Sequence, residues 1–359
     1  MISVNLRFAI AVSCAALSVG CPSLYAKKRP KVKIGLESRF DLSFSQNEGD
    51  DDQHSFTSIR NRVTLSGKIT KKSSFLIRFR FDRGPANNDP VANVSDSADY
   101  FFMRYNFSKK YSLILGKIYL FEGSYENDYN TADIYHVSYA GENEYSGFGT
   151  GAIFEAHLWN QTFGFQLANT PFQAAPLEGA ATPSPTAGDF LVALAWYGKS
   201  KVDWLKPLVT MGVFPRVPQE NLEGVRSDKV SSSKIAIGNK ASLKSFEIDT
   251  EFLYISNPEY RTFAAASDPE PTQVNPSRQV QTLILQGRYK TKKPKIDYIA
   301  KISQDDIQQE GESKSLNRIS LATEYYPQKS RFRFHSALTK EDNLDGRRNT
   351  ILFGMAASF

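Results

Sequence analysis

Six arginines recur early in the chain: Arg39, Arg60, Arg62, Arg78, Arg80 and Arg104. Each falls on the polar side of an apolar/polar alternation. Side chains of an extended strand point alternately to its two faces, so this spacing gathers the guanidinium groups on one face. Like charges at such distances are tolerable beside water or carboxylates. The longest connection, residues 121–147, carries Glu122, Glu126, Asp128, Asp133, Glu142 and Glu144 and has no Lys or Arg. A basic wall facing an acidic segment across water would set up a transverse field that orients dipolar solutes and disfavours apolar ones. The plainer reading makes the arginines ordinary solvated wall and the acidic segment an outside loop. Tyr125, Tyr129, Tyr135 and Tyr139 suit an infolded segment or a cap equally.

Other chemistry has little to work with. The four histidines, His54, His136, His157 and His335, stand beside no Ser or Asp motif of nucleophilic catalysis. The only cysteines are Cys14 and Cys21, both near the N-terminus. Disulfides, thiol catalysis and cysteine metal sites are not expected from them. Glu48 with Asp50, Asp51 and Asp52 lacks calcium-loop spacing and reads as solvated loop charge, or as a place for divalent ions bridging lipopolysaccharide. No cofactor, metal or enzymatic activity is expected. The net charge of +6 is spread over turns, which argues against nucleic acid.

The elements that must position these groups are strands. In residues 32–44 the even positions are apolar except Ser38, and the odd ones are polar or Gly. The same period of two returns through Ile59–Ile69 and Phe75–Asp82, and onward to the last residue. Sixteen strands are counted, joined by links that alternate short and long. Thr70–Ser73, Ser108–Tyr111 and Asn160–Gln161 are short; Phe121–Gly147, Pro171–Ala187, Ser256–Arg278, Asp305–Ser315 and Glu341–Arg347 are long. Short periplasmic turns, long outside loops and an even strand number belong to a transmembrane antiparallel β-barrel, an all-β fold. If the first hairpin pairs residues summing to 101 and the second to 142, Arg39, Arg62 and Arg80 lie side by side. Arg331, Arg333 and His335 continue the basic character nearer the periplasm. Phe75, Phe107, Phe163, Trp196, Phe246, Tyr289, Tyr325 and Phe332 all fall on the apolar face at the short-turn end, as a headgroup girdle requires. Aromatics at 13% in a chain of mean hydropathy -0.40 fit one oily and one wet face.

Residues 1–26 read as an export signal: Arg7, an apolar run from Phe8 to Val19, then Leu24-Tyr25-Ala26. A lipoprotein signal acylated at Cys21 is the rival reading. Residues 27–359 form the barrel domain.

The ending is the sharpest motif. Ile351, Phe353, Met355, Ala357 and Phe359 alternate up to the final residue. This resembles the C-terminal assembly signal of Gram-negative outer-membrane porins. Leu115-Gly116-Lys117 is similar to phosphate-selective porins O and P, although the Pro-Phe-Gly of that group is missing. The resemblance implies a water-filled channel for small hydrophilic solutes and ions in a Gram-negative outer membrane. It also implies a third loop folded into the lumen as a constriction. Its implied partners are membrane lipid and lipopolysaccharide, the barrel-assembly machinery and, as in many general porins, two further copies in a homotrimer. An anion- or phosphate-selective channel, an outer-membrane enzyme and an adhesive or structural barrel are the alternatives.

Overall fold

Alternation of this kind makes each strand two-faced, and the only way to keep oil outside and water inside is to close the sheet on itself. The computed structural model describes residues 32–48, 52–81, 97–128, 134–145, 147–169, 190–200, 204–216, 230–263, 273–293, 295–328, 332–343 and 346–359, with short pieces at 202 and 226–227. The proposed export signal therefore lies outside the described residues.

The first half of the wall is β1 (Val32–Asn47), β2 (Gln53–Lys68), β3 (Ser73–Arg80), β4 (Ala98–Asn106), β5 (Tyr111–Tyr119), β6 (Phe148–Leu158), β7 (Gln161–Asn169) and β8 (Phe190–Tyr197). The second half is β9 (Pro207–Arg216), β11 (Val230–Leu243), β12 (Phe246–Asn257), β15 (Arg278–Lys290), β16 (Ile296–Gln309), β17 (Glu312–Gln328), β18 (Phe332–Asn343) and β19 (Gly346–Ser358). Each pairs antiparallel with its sequence neighbour in the wall, and β1 pairs with β19, giving a closed sixteen-stranded barrel. Three short strands, β10 (Arg226–Ser227), β13 (Tyr260–Phe263) and β14 (Gln273–Asn275), form a small separate sheet.

Exposure follows the alternation. On β8, Phe190, Val192, Leu194 and Trp196 face outward, while Leu191, Ala193 and Ala195 are buried. On β16, Tyr298 and Ile302 are outward and Lys301, Ser303 and Asp305 inward. The short-turn aromatics pair across strands as a girdle should, Phe163 beside Trp196 and Phe246 beside Tyr289. The seam closes through Phe359, whose N–H donates to Leu36 O at 2.8 Å and whose carbonyl accepts from Leu36 N at 3.0 Å. Ile351, Phe353 and Met355 point outward in that last strand.

Three expectations need correcting. The Asp305–Ser315 connection is not long, because β16 and β17 continue to a two-residue turn. There Glu310 and Gly311 take φ of 54° and 82°, the left-handed pair that suits a hairpin's twist. β18 likewise runs on to Asn343 and β19 begins at Gly346, shortening the last outside link. The first hairpin also has a different register. Glu37, not Arg39, pairs with Arg62, and past an irregularity at Ser38 Arg39 pairs with Ile59. Two residues of β2, Arg60 and Asn61, oppose the one residue Ser38. This bulge reverses which residues of β2 share a face with Arg39. The second hairpin pairs Arg62 with Arg80, as expected.

Leu115-Gly116-Lys117 has a backbone reason. Gly116 has φ of +131°, and a Cβ there would sit 2.2 Å from Phe101 O. Only glycine fits where β5 is pressed so closely against β4.

Candidate pore constriction

The segment after β5 is closed at its base by Leu120 N–H to Gly147 O at 3.0 Å. It contains two single turns, α1 (Tyr125–Asp128) and α2 (Tyr139–Asn143). Ser138 caps α2, its Oγ accepting from Gly141 N at 3.1 Å, as a short hydroxyl at an N-cap does. The same hydroxyl donates to Glu126 Oε2 at 2.5 Å, and Ser138 N–H reaches Oε1 at 2.9 Å. Glu126 thus ties the two turns together.

The described carboxylates of the segment pair with cations on the far wall. Glu126 pairs with Lys301 on β16, Glu122 lies 3.5 Å from Lys234 on β11, and Glu144 pairs with Arg278 on β15. Glu144 also accepts from Asn257 Nδ2 at 2.8 Å. Glu142 accepts from Arg318 on β17 at 3.1 Å, and the same guanidinium donates to Val137 O at 2.5 Å. Buried charges persist only when paired and hydrogen-bonded, as the buried Glu122, Glu126 and Glu144 are; Glu142 is exposed. Backbone contacts reinforce them: Thr210 Oγ1 to Gly123 O at 2.8 Å, Tyr139 N to Asp305 Oδ2 at 3.1 Å, and Lys301 Nζ to His136 O at 3.0 Å. Ser124 packs over Gly238, where any Cβ would fall 2.1 Å from its hydroxyl. Among the described residues of the segment, Glu122, Glu126, Glu142 and Glu144 are engaged by cations of β11, β15, β16 and β17.

The segment reaches β1 at its other side. Arg39 donates to Ile134 O at 2.9 Å and stands 4.8 Å from the Tyr135 ring, whose hydroxyl donates to Glu324 at 2.6 Å. Burial first, then Glu324, raises the Tyr135 phenol, so it stays a donor. Arg39 holds Asp41 through Nε at 2.9 Å, and Asp41 meets His335 Nε2 at 2.7 Å. The last two lie on either side of β19, and Gly354 between them leaves the gap that the bond crosses. His335 thus shares the Asp41 carboxylate with Arg39. His136 is buried, with neither ring nitrogen hydrogen-bonded among the described residues, and burial followed by Lys301 and Arg318 pushes its pKa down to about 2.

A cavity of about 990 Å³ remains between this segment and the wall, lined by Arg39, Arg62, Arg78 and Arg80 of the wall and by Glu126, Tyr135, Val137, Glu142 and Tyr145 of the segment. Arg62 and Arg80 share Asp99, at 3.5 and 3.3 Å. Asp99 reaches the inner face because the β3–β4 register shifts beside it; Phe101, Met103 and Tyr105, at the same odd parity, face outward. Arg78 donates to Thr64 Oγ1 at 3.3 Å and lies 5.0 Å from the Tyr100 ring, with no ion pair among the described residues. Arg104 stands apart from the cavity, held by Glu155 and Ser112. The side chains of Arg60 and Asp128, and all of Asp133, lie outside the described residues.

Sequence reasoning missed Asp99, Lys234, Lys301, Arg318 and Glu324. The last four occupy inward positions of alternating strands and were legible as lumen charge; their pairing with a segment some 90–190 residues away was not.

Comparisons with known proteins agree with this geometry. The family model of phosphate-selective porins O and P matches residues 32–189. No curated protein matches the chain. The anion-selective porin of Comamonas acidovorans superposes with a TM-score of 0.62 at 8% identity, over 92% of this chain and all of that one. OmpT of Vibrio cholerae, an outer-membrane protein in its trimer form, gives 0.60 at 11%, over 92% of this chain and all of its own. Salmonella typhi OmpF, in complex with daunomycin, gives 0.61 at 10%, over 91% and 97%. The chain thus has the closed sixteen-stranded antiparallel barrel of these porins, and its residues 32–189 are similar to the phosphate-selective porins O and P.

Proposed function

We propose that the chain is a water-filled diffusion channel for small hydrophilic solutes and ions, with a preference for anions. The observation that carries this is the surplus of cations on the cavity lining. Arg39, Arg62, Arg78, Arg80, Arg318 and Arg348 face it against Asp41, Glu126, Glu142 and Glu341, and Glu126 and Glu142 are paired with Lys301 and Arg318. A lumen with more cation than anion on its walls lowers the electrostatic cost of an entering anion. In this reading the segment is the infolded constriction, the arginines are its selectivity wall, and the protein is a pore rather than an enzyme. Reversal potentials across a planar bilayer under a potassium chloride gradient test it: anion preference is expected, and cation preference would overturn it.

A phosphate-specific channel is the second reading, favoured by the family match over residues 32–189. Saturable block of chloride current by micromolar phosphate would support it; purely additive currents would not. A homotrimer is supported by the trimer form of the Vibrio cholerae neighbour and is tested by light scattering of the purified protein in detergent. Residues 1–26 as a cleaved export signal, and Ile351–Phe359 as the signal for the assembly machinery, complete the proposal.

A further inference from the structure

We propose that the short-turn rim of the barrel is a binding site for anionic phospholipids, in which lysine ammonium groups take lipid phosphates. The turn joining β4 to β5 places exposed Lys109 and Lys110 between the exposed rings of Phe107 and Tyr111. Lys71 and Lys72 occupy the β2–β3 turn, and Lys292 and Lys293 follow exposed Tyr289 in the β15–β16 turn, all with solvent-facing side chains. Lys199 follows exposed Trp196, and Lys244 precedes exposed Phe246. These turns lie at one end of the wall because they join successive antiparallel strands at alternate ends.

Two observations point independently to lipid. The rings mark the boundary between hydrocarbon and headgroups, since an aromatic edge is half oily and half wet. The lysines sit one to four residues from them. Their flexible stems can lie along apolar surface and hold the ammonium at the depth of the phosphates. The second observation is asymmetry. At the opposite rim the exposed charges are mixed, with Glu48, Asp52, Glu259, Glu310 and Glu312 beside Arg261, Lys314 and Arg347. Among the described residues of the short turns the charges are lysines alone, which is more than general solubility requires. A leaflet of anionic phospholipid attracts lysines that reach its surface, and the attraction decays within a Debye length. Contact with headgroups is favoured over a polymer standing off in the periplasm, because the charge hugs the girdle and does not project beyond it.

The test is native mass spectrometry of the purified protein released from nanodiscs containing equal parts of phosphatidylcholine and phosphatidylglycerol. Phosphatidylglycerol should be retained several-fold over phosphatidylcholine, and the preference should fall with added salt. It should vanish in a variant carrying Lys71→Gln, Lys72→Gln, Lys109→Gln, Lys110→Gln, Lys292→Gln and Lys293→Gln, and survive in the matching Lys→Arg variant. Equal retention, or a preference that the Lys→Gln variant keeps, would overturn the proposal. So would lysine-dependent cosedimentation with cell-wall sacculi in place of lipid retention. None of these readouts depends on conductance, so they stand or fall apart from the channel reading.

Discussion

Arg62 and Arg80 stand directly opposite one another across the β2–β3 ladder and lean on the same carboxylate, that of Asp99, whose side chain is wholly buried. Two guanidinium groups at this spacing repel, and a shared anion behind them turns the repulsion into a stable wedge. The Asp99→Asn variant should be destabilised by about 3–5 kcal/mol, as when one partner leaves a buried ion pair. Its anion preference should rise, because the arginines lose their counter-charge. Denaturant unfolding and reversal potentials read the two effects; an unshifted unfolding midpoint would remove Asp99 from this role.

Arg78 has a different position. Held by Thr64 and the Tyr100 ring with no ion pair among the described residues, it contributes charge without anchoring the wall. Arg78→Gln should weaken anion preference, and Arg78→Glu should carry it toward cations. Stability should move by no more than roughly 0.5 kcal/mol for the neutral change. Bilayer recordings that show no shift for the Glu variant would count against the arginine wall.

The contact between Lys301 and Glu126 fastens the middle of the 121–147 segment. Lys301→Met leaves Glu126 buried without its amine, and about 3 kcal/mol should be lost locally. Noisier single-channel traces with a larger mean conductance are expected, with partial recovery when Glu126→Gln is added. Quiet, wild-type traces from the single variant would show that the fastening lies elsewhere.

Acid should loosen the same segment through His136. Buried beside Lys301 and Arg318, its imidazole has a pKa near 2, against about 6.5 for a free imidazole. The unfolded or released form therefore takes the proton first. The stability from the buried neutral ring is complete above pH about 6.5 and shrinks as pH falls toward 2, by about 3 kcal/mol at pH about 4. Channel noise should rise on acidification, and His136→Gln should flatten that rise. An identical pH profile in the variant would assign the effect to other groups.

Gly116→Ala should lower folding yield and stability by about 1–3 kcal/mol, since a Cβ would drive into Phe101 O at a backbone angle that L residues avoid. Heat-modifiability on semi-native gels measures it. A variant that migrates and melts like the parent would show that β4 and β5 can separate to admit the methyl group.

The barrel was legible because alternation is a local signal repeated along the chain. Phe190 to Tyr197 declares its two faces without reference to any neighbour. Register was less so. A single bulge opposite Ser38 shifts Arg39 from Arg62 to Ile59, and another beside Asp99 turns a carboxylate inward against the parity of Phe101 and Met103. Neither leaves a mark in composition. The ends of β16 and β17 were misjudged because Asp305, Asp306 and Gln308 look like loop, yet Asp305 faces the lumen and receives Tyr139 N–H and Thr282 Oγ1. The acidic segment was recognised, but its partners Lys301 and Arg318 are brought to it only by closure of the wall.

The pairing pattern of the lumen divides labour among its arginines. Those that anchor, Arg39, Arg62 and Arg318, each answer to a carboxylate and cannot change sign without unsettling their neighbours. Arg78 carries no such obligation. Under the proposed anion preference, solute choice would be free to drift through this side chain while the scaffold stays put, so retuning the passage would not mean rebuilding it.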